Sequence, residues 1–278
     1  MMIHSTASRF DSSDLLLQVA GLGVRFGRQQ VLRDVDIAIP RGQTVAIIGE
    51  SGCGKTVLLK AIIGLLRPTQ GEVRFDGRNL ANLTERELVR QRIRFGFLFQ
   101  QAALFDSMTI AQNVAFPLRQ HTRRSDDEIR EIVLARLAEV GLSGAVLPMR
   151  PVELSGGMRK RVGLARALAM EPEMMLYDEP TTGLDPIMSD VINELILSAR
   201  RSHPVTSVVV THDMQTTRKV ADRVVMLYPL SRLGRDEPQI LYDGPPDGLE
   251  KCRDRRVAQF VRGEAGERLM EMRLQNGS

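Results

Sequence analysis

Three short runs in this 278-residue chain combine side chains whose chemistry is specific. Gly49-Glu50-Ser51-Gly52-Cys53-Gly54-Lys55-Thr56 has the spacing GxxxxGK[ST], preceded by an apolar strand-like run at 44–48 and followed by a helix-compatible run at 57–65. In that context the glycines let backbone N–H groups converge on phosphate oxygens. The helix N-terminus adds a positive dipole end, and Lys55 adds a full charge. Thr56 supplies a hydroxyl suited to Mg²⁺. The second run, 174–177, is apolar and ends in Asp178 and Glu179, so both acids emerge at the C-terminal edge of a strand, where the crevices of α/β sheets open. Phosphoryl transfer needs mainly positioning and charge neutralisation; Asp178 is therefore assigned to the Mg²⁺ shell and Glu179 to the attacking water. Third, His212 follows Val208-Val209-Val210-Thr211 at the end of another apolar strand, where a lone histidine is more often structural than catalytic, although the position also allows reach to a γ-phosphate.

Two residues of the glycine loop are unusual. A carboxylate at Glu50 repels phosphate unless it turns away, so it is expected to point outward into solvent. Cys53 reads as a small residue at a permissive position, the sharper alternative being a thiolate favoured by the helix terminus and open to alkylation.

These residues need a scaffold, and the pattern supplies one. Strand signatures occur at 15–19, 35–39, 44–48, 73–75 (ahead of an Asp76-Gly77 turn), 94–99, 174–177, 205–210, 223–227 and 239–242. Between 106 and 169 the period becomes helical, with Ser125 and Glu128 as a capping box ahead of Ile129, Ile132, Val133, Leu137 and Val140. A further helix is expected over 186–198. The fold class is α/β: a largely parallel, helix-covered sheet with an N-terminal antiparallel part. Residues 1–14 read as a flexible lead-in, 15–249 as the catalytic domain with a helical subdomain near 106–169, and 250–278 as a charged helical extension.

Composition narrows the function. With 43% hydrophobic residues the chain can bury a substantial core. It has no Trp and three Tyr, too few aromatic platforms for single-stranded nucleic acid, so no nucleic-acid partner is expected. Cys53 and Cys252 lack disulfide or zinc spacing. No apolar run approaches the roughly 18 residues that a membrane span requires.

Leu154-Ser155-Gly156-Gly157-Met158, followed by Arg159-Lys160-Arg161, adds a second anion site: Ser155 caps a helix through Val162, Ala165 and Leu168, leaving N–H groups at Gly156 and Gly157 free. This run resembles the LSGGQ signature of ABC ATPases, and other pieces stand in the order that family uses: Phe26 before Gly27, Gln100 after Phe99, Gly183-Leu184-Asp185, and His212. The resemblance, which spans 15–243, implies an ATPase using ATP and Mg²⁺ in a head-to-tail dimer, each signature closing over the partner's nucleotide. It also implies that Phe26 stacks on adenine, Gln100 joins the metal and water site to a membrane permease, Asp185 couples the two sites, and His212 meets the γ-phosphate. Met158 in place of the usual Gln, Asp185-Pro186-Ile187 and the charged C-terminus resemble ATPases of phospholipid transporters that work with MCE-domain proteins. On that resemblance the protein sits peripherally on the cytoplasmic face of the inner membrane. Residues 102–105 with Phe116 are expected to receive a permease helix. The other readings are ATPases of other ABC transporters, soluble ABC ATPases, which carry two nucleotide domains or a long insertion, and P-loop GTPases or kinases, which leave the signature run unexplained.

Overall fold

The computed structural model describes residues 14–265. The expected lead-in, except for Asp14, and positions 266–278 of the expected C-terminal helix lie outside the described residues. In chain order the elements are β1 (Leu15–Phe26), β2 (Gln29–Pro40), β3 (Thr44–Ile48), α1 (Lys55–Ile62), β4 (Gln70–Phe75), β5 (Arg78–Asn79), α2 (Glu85–Arg92), β6 (Phe95–Leu98) and α3 (Ile110–His121). There follow α4 (Asp126–Glu139), α5 (Gly156–Leu168), β7 (Met174–Asp178), α6 (Pro186–Ser202), β8 (Thr206–Val210), α7 (Met214–Val220), β9 (Arg223–Leu227), β10 (Ile240–Gly244) and α8 (Arg255–Arg262).

Two sheets organise them. The larger has the order β10-β9-β3-β8-β7-β6, parallel throughout except where β10 runs antiparallel along β9. Every residue of β3, β8 and β9 is buried, which explains why these strands read as continuous apolar runs: a parallel sheet covered on both faces has no solvent side to signal. The smaller sheet is antiparallel, ordered β2-β1-β4-β5. Asp76 and Gly77, both at positive φ, make the tight turn between β4 and β5 that their sequence suggests.

Alternate residues of β7 feed two different cores. Met174 and Leu176 belong to the cluster built with the antiparallel sheet and α1, whereas Met175 and Tyr177 belong to a cluster with α3, α4, α5 and α6. The helices of the 106–169 stretch thus pack continuously onto one face of the main sheet. The Ser125–Glu128 capping box at the head of α4 is present in both halves, a device that contributes about 1 kcal/mol.

Several boundaries differ from the sequence reading. β1 runs seven residues past Val19, because bulges between Val19 and Leu22 let Gly21 and Gly23 interrupt the alternation without ending the strand. α2 gave no clear signal, since only Leu88 and Gln91 among its residues are buried; a Thr84–Glu87 capping box starts it. α6 extends to Ser202, and α7 is too short for its period to register. The C-terminal stretch begins as a 3₁₀ turn, Pro246–Lys251, before α8.

Candidate functional site

β3 lies between β8 and β9, so the loop leaving it opens at the middle of the sheet, beside the C-terminal ends of β7 and β8. The loop's shape depends on its glycines. Gly49 stands at φ +146°, where a Cβ would come within 2.2 Å of the Leu227 carbonyl oxygen, and Gly54 stands at φ +102° as the N-cap of α1. No larger side chain fits the first position, and none adopts the second without strain. The Lys55 ammonium is held over the loop by the carbonyls of Gly49 (2.6 Å) and Glu50 (3.1 Å).

A cleft of about 880 Å³ collects the predicted groups: Gly49, Glu50, Ser51, Gly52, Gly54, Lys55 and Thr56 from the loop, Gln100 after β6, Asp178 and Glu179 after β7, and His212 after β8. Burial raises the Asp178 carboxyl above its ordinary range, the neighbouring Glu179 charge raises it further, and Lys55, Lys60 and Lys160 oppose both. Two acids sharing a partly desolvated corner favour a cation, and the hydroxyl of Thr56, the amide of Gln100 and the carboxylate of Asp178 are the hard oxygen donors that Mg²⁺ prefers. The residues present therefore fit that ion.

Glu179 is tightly organised. Its φ of +49° is strained for a non-glycine residue, at a cost of roughly 1–3 kcal/mol. Contacts on every side hold it there. Its N–H donates to Val210 O at 2.8 Å, its carbonyl accepts from Lys160 Nζ at 3.0 Å, and its carboxylate accepts from Thr182 Oγ1 at 3.2 Å. His212 Nδ1 lies 2.9 Å from the same carboxylate, so the histidine contacts Glu179 directly as well as facing the cleft.

One expectation about the loop needs correction, and for Cys53 the structure favours the blander of two readings. Glu50 does not face open solvent: it is paired with Arg232 at 2.7 Å, and the two side chains are only 19% and 21% exposed. Neutralisation by a guanidinium, rather than outward rotation, keeps this carboxylate compatible with phosphate. The Cys53 side chain is turned inward, 1% exposed, and burial raises its thiol above the usual range, which argues against a reactive thiolate. It packs in the core beneath the loop, and its N–H donates to Glu50 O at 3.3 Å.

Phe26 lies at the end of β1, half exposed, and does not line the cleft. Ser155, Gly156 and Gly157 are also away from the cleft of their own protomer. Ser155 Oγ accepts from Met158 N at 3.2 Å and caps α5, as read from the sequence. Asp185 caps α6 by accepting from the N–H groups of Ile187 and Met188. The cleft also takes in residues the sequence did not flag: Tyr228, Arg232, Arg256 and Phe260. The guanidinium groups of Arg232 and Arg256 each stack on Tyr228, with 5.0 and 5.3 Å to the ring centroid. Arginines distributed after β9 and on α8 carry no motif; only folding brings them to the loop.

A family model described as ABC transporter matches residues 32–182. The chain is 41% identical over 250 residues to the intermembrane phospholipid transport system ATP-binding protein MlaF of Haemophilus influenzae, spanning 90% of this chain and 91% of that one. It is 39% identical to the MlaF of Escherichia coli K12, with 86% of each chain covered. It is 41% identical to the probable ribonucleotide transport ATP-binding protein mkl of Mycobacterium tuberculosis, covering 89% of this chain and 66% of that protein. Among solved structures, the dimeric post-hydrolysis state of the ATP-binding cassette MJ0796 bound to ADP and Pi superposes with a TM-score of 0.71 at 33% identity, covering 77% of this chain and 96% of that one. The cbiO1 subunit of a Clostridium perfringens ABC transporter complex gives 0.75 at 27% identity, covering 93% and 99%.

Proposed function

This chain belongs to the ABC transporter family as a dimerising, MgATP-dependent ATPase subunit that works with a membrane permease, and on that premise we propose that it powers the movement of phospholipids. The observation that supports the catalytic part is the convergence of Lys55, Asp178, Glu179 and His212 on one cleft at the end of the sheet. In the proposed mechanism the loop N–H groups and Lys55 bind the phosphates and draw charge from the γ-phosphoryl group. Thr56, Gln100 and Asp178 would hold Mg²⁺, which neutralises developing phosphate charge when bound. Glu179 orients and polarises the attacking water, and His212 fixes the Glu179 carboxylate through their 2.9 Å contact while facing the γ-phosphate. Ser155, Gly156 and Gly157 close over the partner copy's nucleotide, Phe26 stacks on adenine, and Asp185 links the two sites across the dimer.

The lipid reading rests on two relatives named for phospholipid transport, at 39–41% identity over most of the chain. The relative named for ribonucleotides marks the competing cargo. A second, apolar groove of about 670 Å³, lined by Phe97, Phe99, Ala103, Phe105 and Phe116, supports the expected permease contact. No helix among the described residues is long and apolar enough to cross a membrane, and we assign the chain to the cytoplasmic face of the inner membrane through that groove. An MCE-domain protein is the proposed third component.

Glu179→Gln tests the site: it keeps ATP binding, accumulates as a nucleotide-bound dimer on size-exclusion chromatography, and loses turnover by about 10²-fold or more. Wild-type turnover in that variant rejects the assignment. The cargo is tested with the permease complex in phosphatidylethanolamine/phosphatidylglycerol vesicles. ATP-dependent movement of a fluorescent phospholipid supports the reading, whereas movement of a ribonucleotide alone overturns it.

A further inference from the structure

The signature helix α5 does more than present Ser155. Lys160, one turn in from that end, is 5% exposed, and its ammonium donates at 3.0 Å to the carbonyl of Glu179. That carbonyl belongs to the residue held at φ +49°, immediately after β7. A lysine is an expensive choice for a core position, since a buried ammonium loses its hydration. An uncharged residue would pack there without that cost. What the lysine adds, besides a positive charge that favours the ionised Asp178, is a charge-assisted bond to one backbone atom of the strained turn.

We infer that Lys160 is a positioning residue that links the signature end of α5 to the backbone of Glu179 in the same protomer, so that closure of the signature over the partner's nucleotide sets Glu179 in its own site. The link is short. Ser155 is fixed to the head of α5 by its cap, Arg159 ties the same turn to the Leu154 carbonyl at 2.7 Å, and Lys160 runs from the following position to Glu179. Any tilt of α5 on closure pulls on a backbone that is already strained, and so turns the carboxylate that faces His212. This deepens the proposed function and rests on its reading of Glu179 as the residue that activates water.

The test compares Lys160→Met, which keeps the stem and removes the donor, with Lys160→Gln, which retains an N–H, and with Glu179→Gln, all in the intact transporter. For Lys160→Met, kcat falls about tenfold or more, as expected for loss of a charge-assisted hydrogen bond. Affinity for a fluorescent ATP analogue stays within about twofold, and the Hill coefficient of hydrolysis falls toward one. Lys160→Gln, whose amide is uncharged and sits on a shorter stem, recovers only part of the turnover. A helix that was merely destabilised would lower the Tm and weaken both steps without lowering cooperativity selectively. The inference is overturned if Lys160→Met hydrolyses ATP at the wild-type rate, or if its turnover falls with unchanged cooperativity. Should Lys160→Met not fold, Lys160→Leu serves as the donor-free variant under the same criteria. An active Glu179→Gln variant removes the underlying reading of the site. An inert Glu179→Gln beside a fully active, cooperative Lys160→Met removes the Lys160 inference alone.

Discussion

Replacing Arg232 by alanine removes from the phosphate loop the guanidinium that sits against the Glu50 carboxylate. Arg232 Nη1 sits 2.7 Å from Glu50 Oε1, with about four-fifths of each side chain shielded from solvent. Exposed ion pairs contribute about 1 kcal/mol or less, while removing one member of a fully buried pair costs roughly 3–5 kcal/mol. A pair this shielded falls between those limits, at about 2 kcal/mol. If all of that appears in nucleotide binding, where the Glu50 charge faces incoming phosphates, the Kd for ATP rises by about 25-fold, since every 1.4 kcal/mol is tenfold. Any part expressed as lower stability of the free protein reduces the affinity effect, so the working expectation is about tenfold to 25-fold.

The assay is equilibrium titration with a fluorescent ATP analogue across a double-mutant cycle. Arg232→Ala weakens binding, Glu50→Gln leaves it unchanged or tighter, and the double variant returns to near wild type because no carboxylate remains to be neutralised. A double variant that binds as weakly as Arg232→Ala alone refutes this reasoning. Arg232 would then act through its stacking on Tyr228 or through the phosphates themselves rather than through Glu50.

Gly49→Ala should abolish nucleotide binding while leaving circular dichroism near native, because its Cβ would meet the Leu227 carbonyl at 2.2 Å and the Cys53 sulfur at 2.8 Å, and the loop must move to relieve both contacts. Binding retained within about twofold would mean that the loop relaxes at little cost. The Arg94 cluster predicts an acid transition: hydrogen bonds from Arg94 hold the carboxyls of Asp76 and Glu173 below the ordinary range, and Arg41 reinforces both. Depressed folded-state values stabilise above the unfolded pKa of about 4 and lose that stabilisation as pH falls through the folded values. Arg94→Gln should therefore lower the Tm at pH 7 and shrink the further drop between pH 5 and 3; an equal loss at both ends excludes the linkage.

The main sheet and the phosphate loop were legible because their signals are local: buried parallel strands read as unbroken apolar runs, and the loop's glycines stand at positive φ for reasons their spacing already implies. The Ser125–Glu128 and Ser155 caps were legible for the same reason, since each is a few-residue device whose partners lie within one turn. Glu50 was misread because its partner is 182 positions away, on a 3₁₀ turn after β9. Cys53 was left open because sequence gives its position in the loop and not which way the side chain turns. Lys160 stands between two other basic residues, Arg159 and Arg161, and only the packing of α5 on β6 and the neighbouring helices separates the buried member from them.

The placement of the acids follows from how β7 is packed. Its even positions join the core shared with the antiparallel sheet, and its odd positions join the core of the helices, so the strand is the common wall of two packed bodies. Asp178 and Glu179 stand where that wall ends. The phosphate loop reaches them across β8 from β3, and the signature helix reaches them through Lys160 from the helical side. Cores pack too densely to deform smoothly, so relative motion between the two bodies is taken up at their shared edge. On the inference drawn for Lys160, the strained turn at that edge is where a shift of the helices acts on Glu179. Phe99, which lines the apolar groove walled by β6 and α3, is followed in the chain by Gln100, which lines the nucleotide cleft.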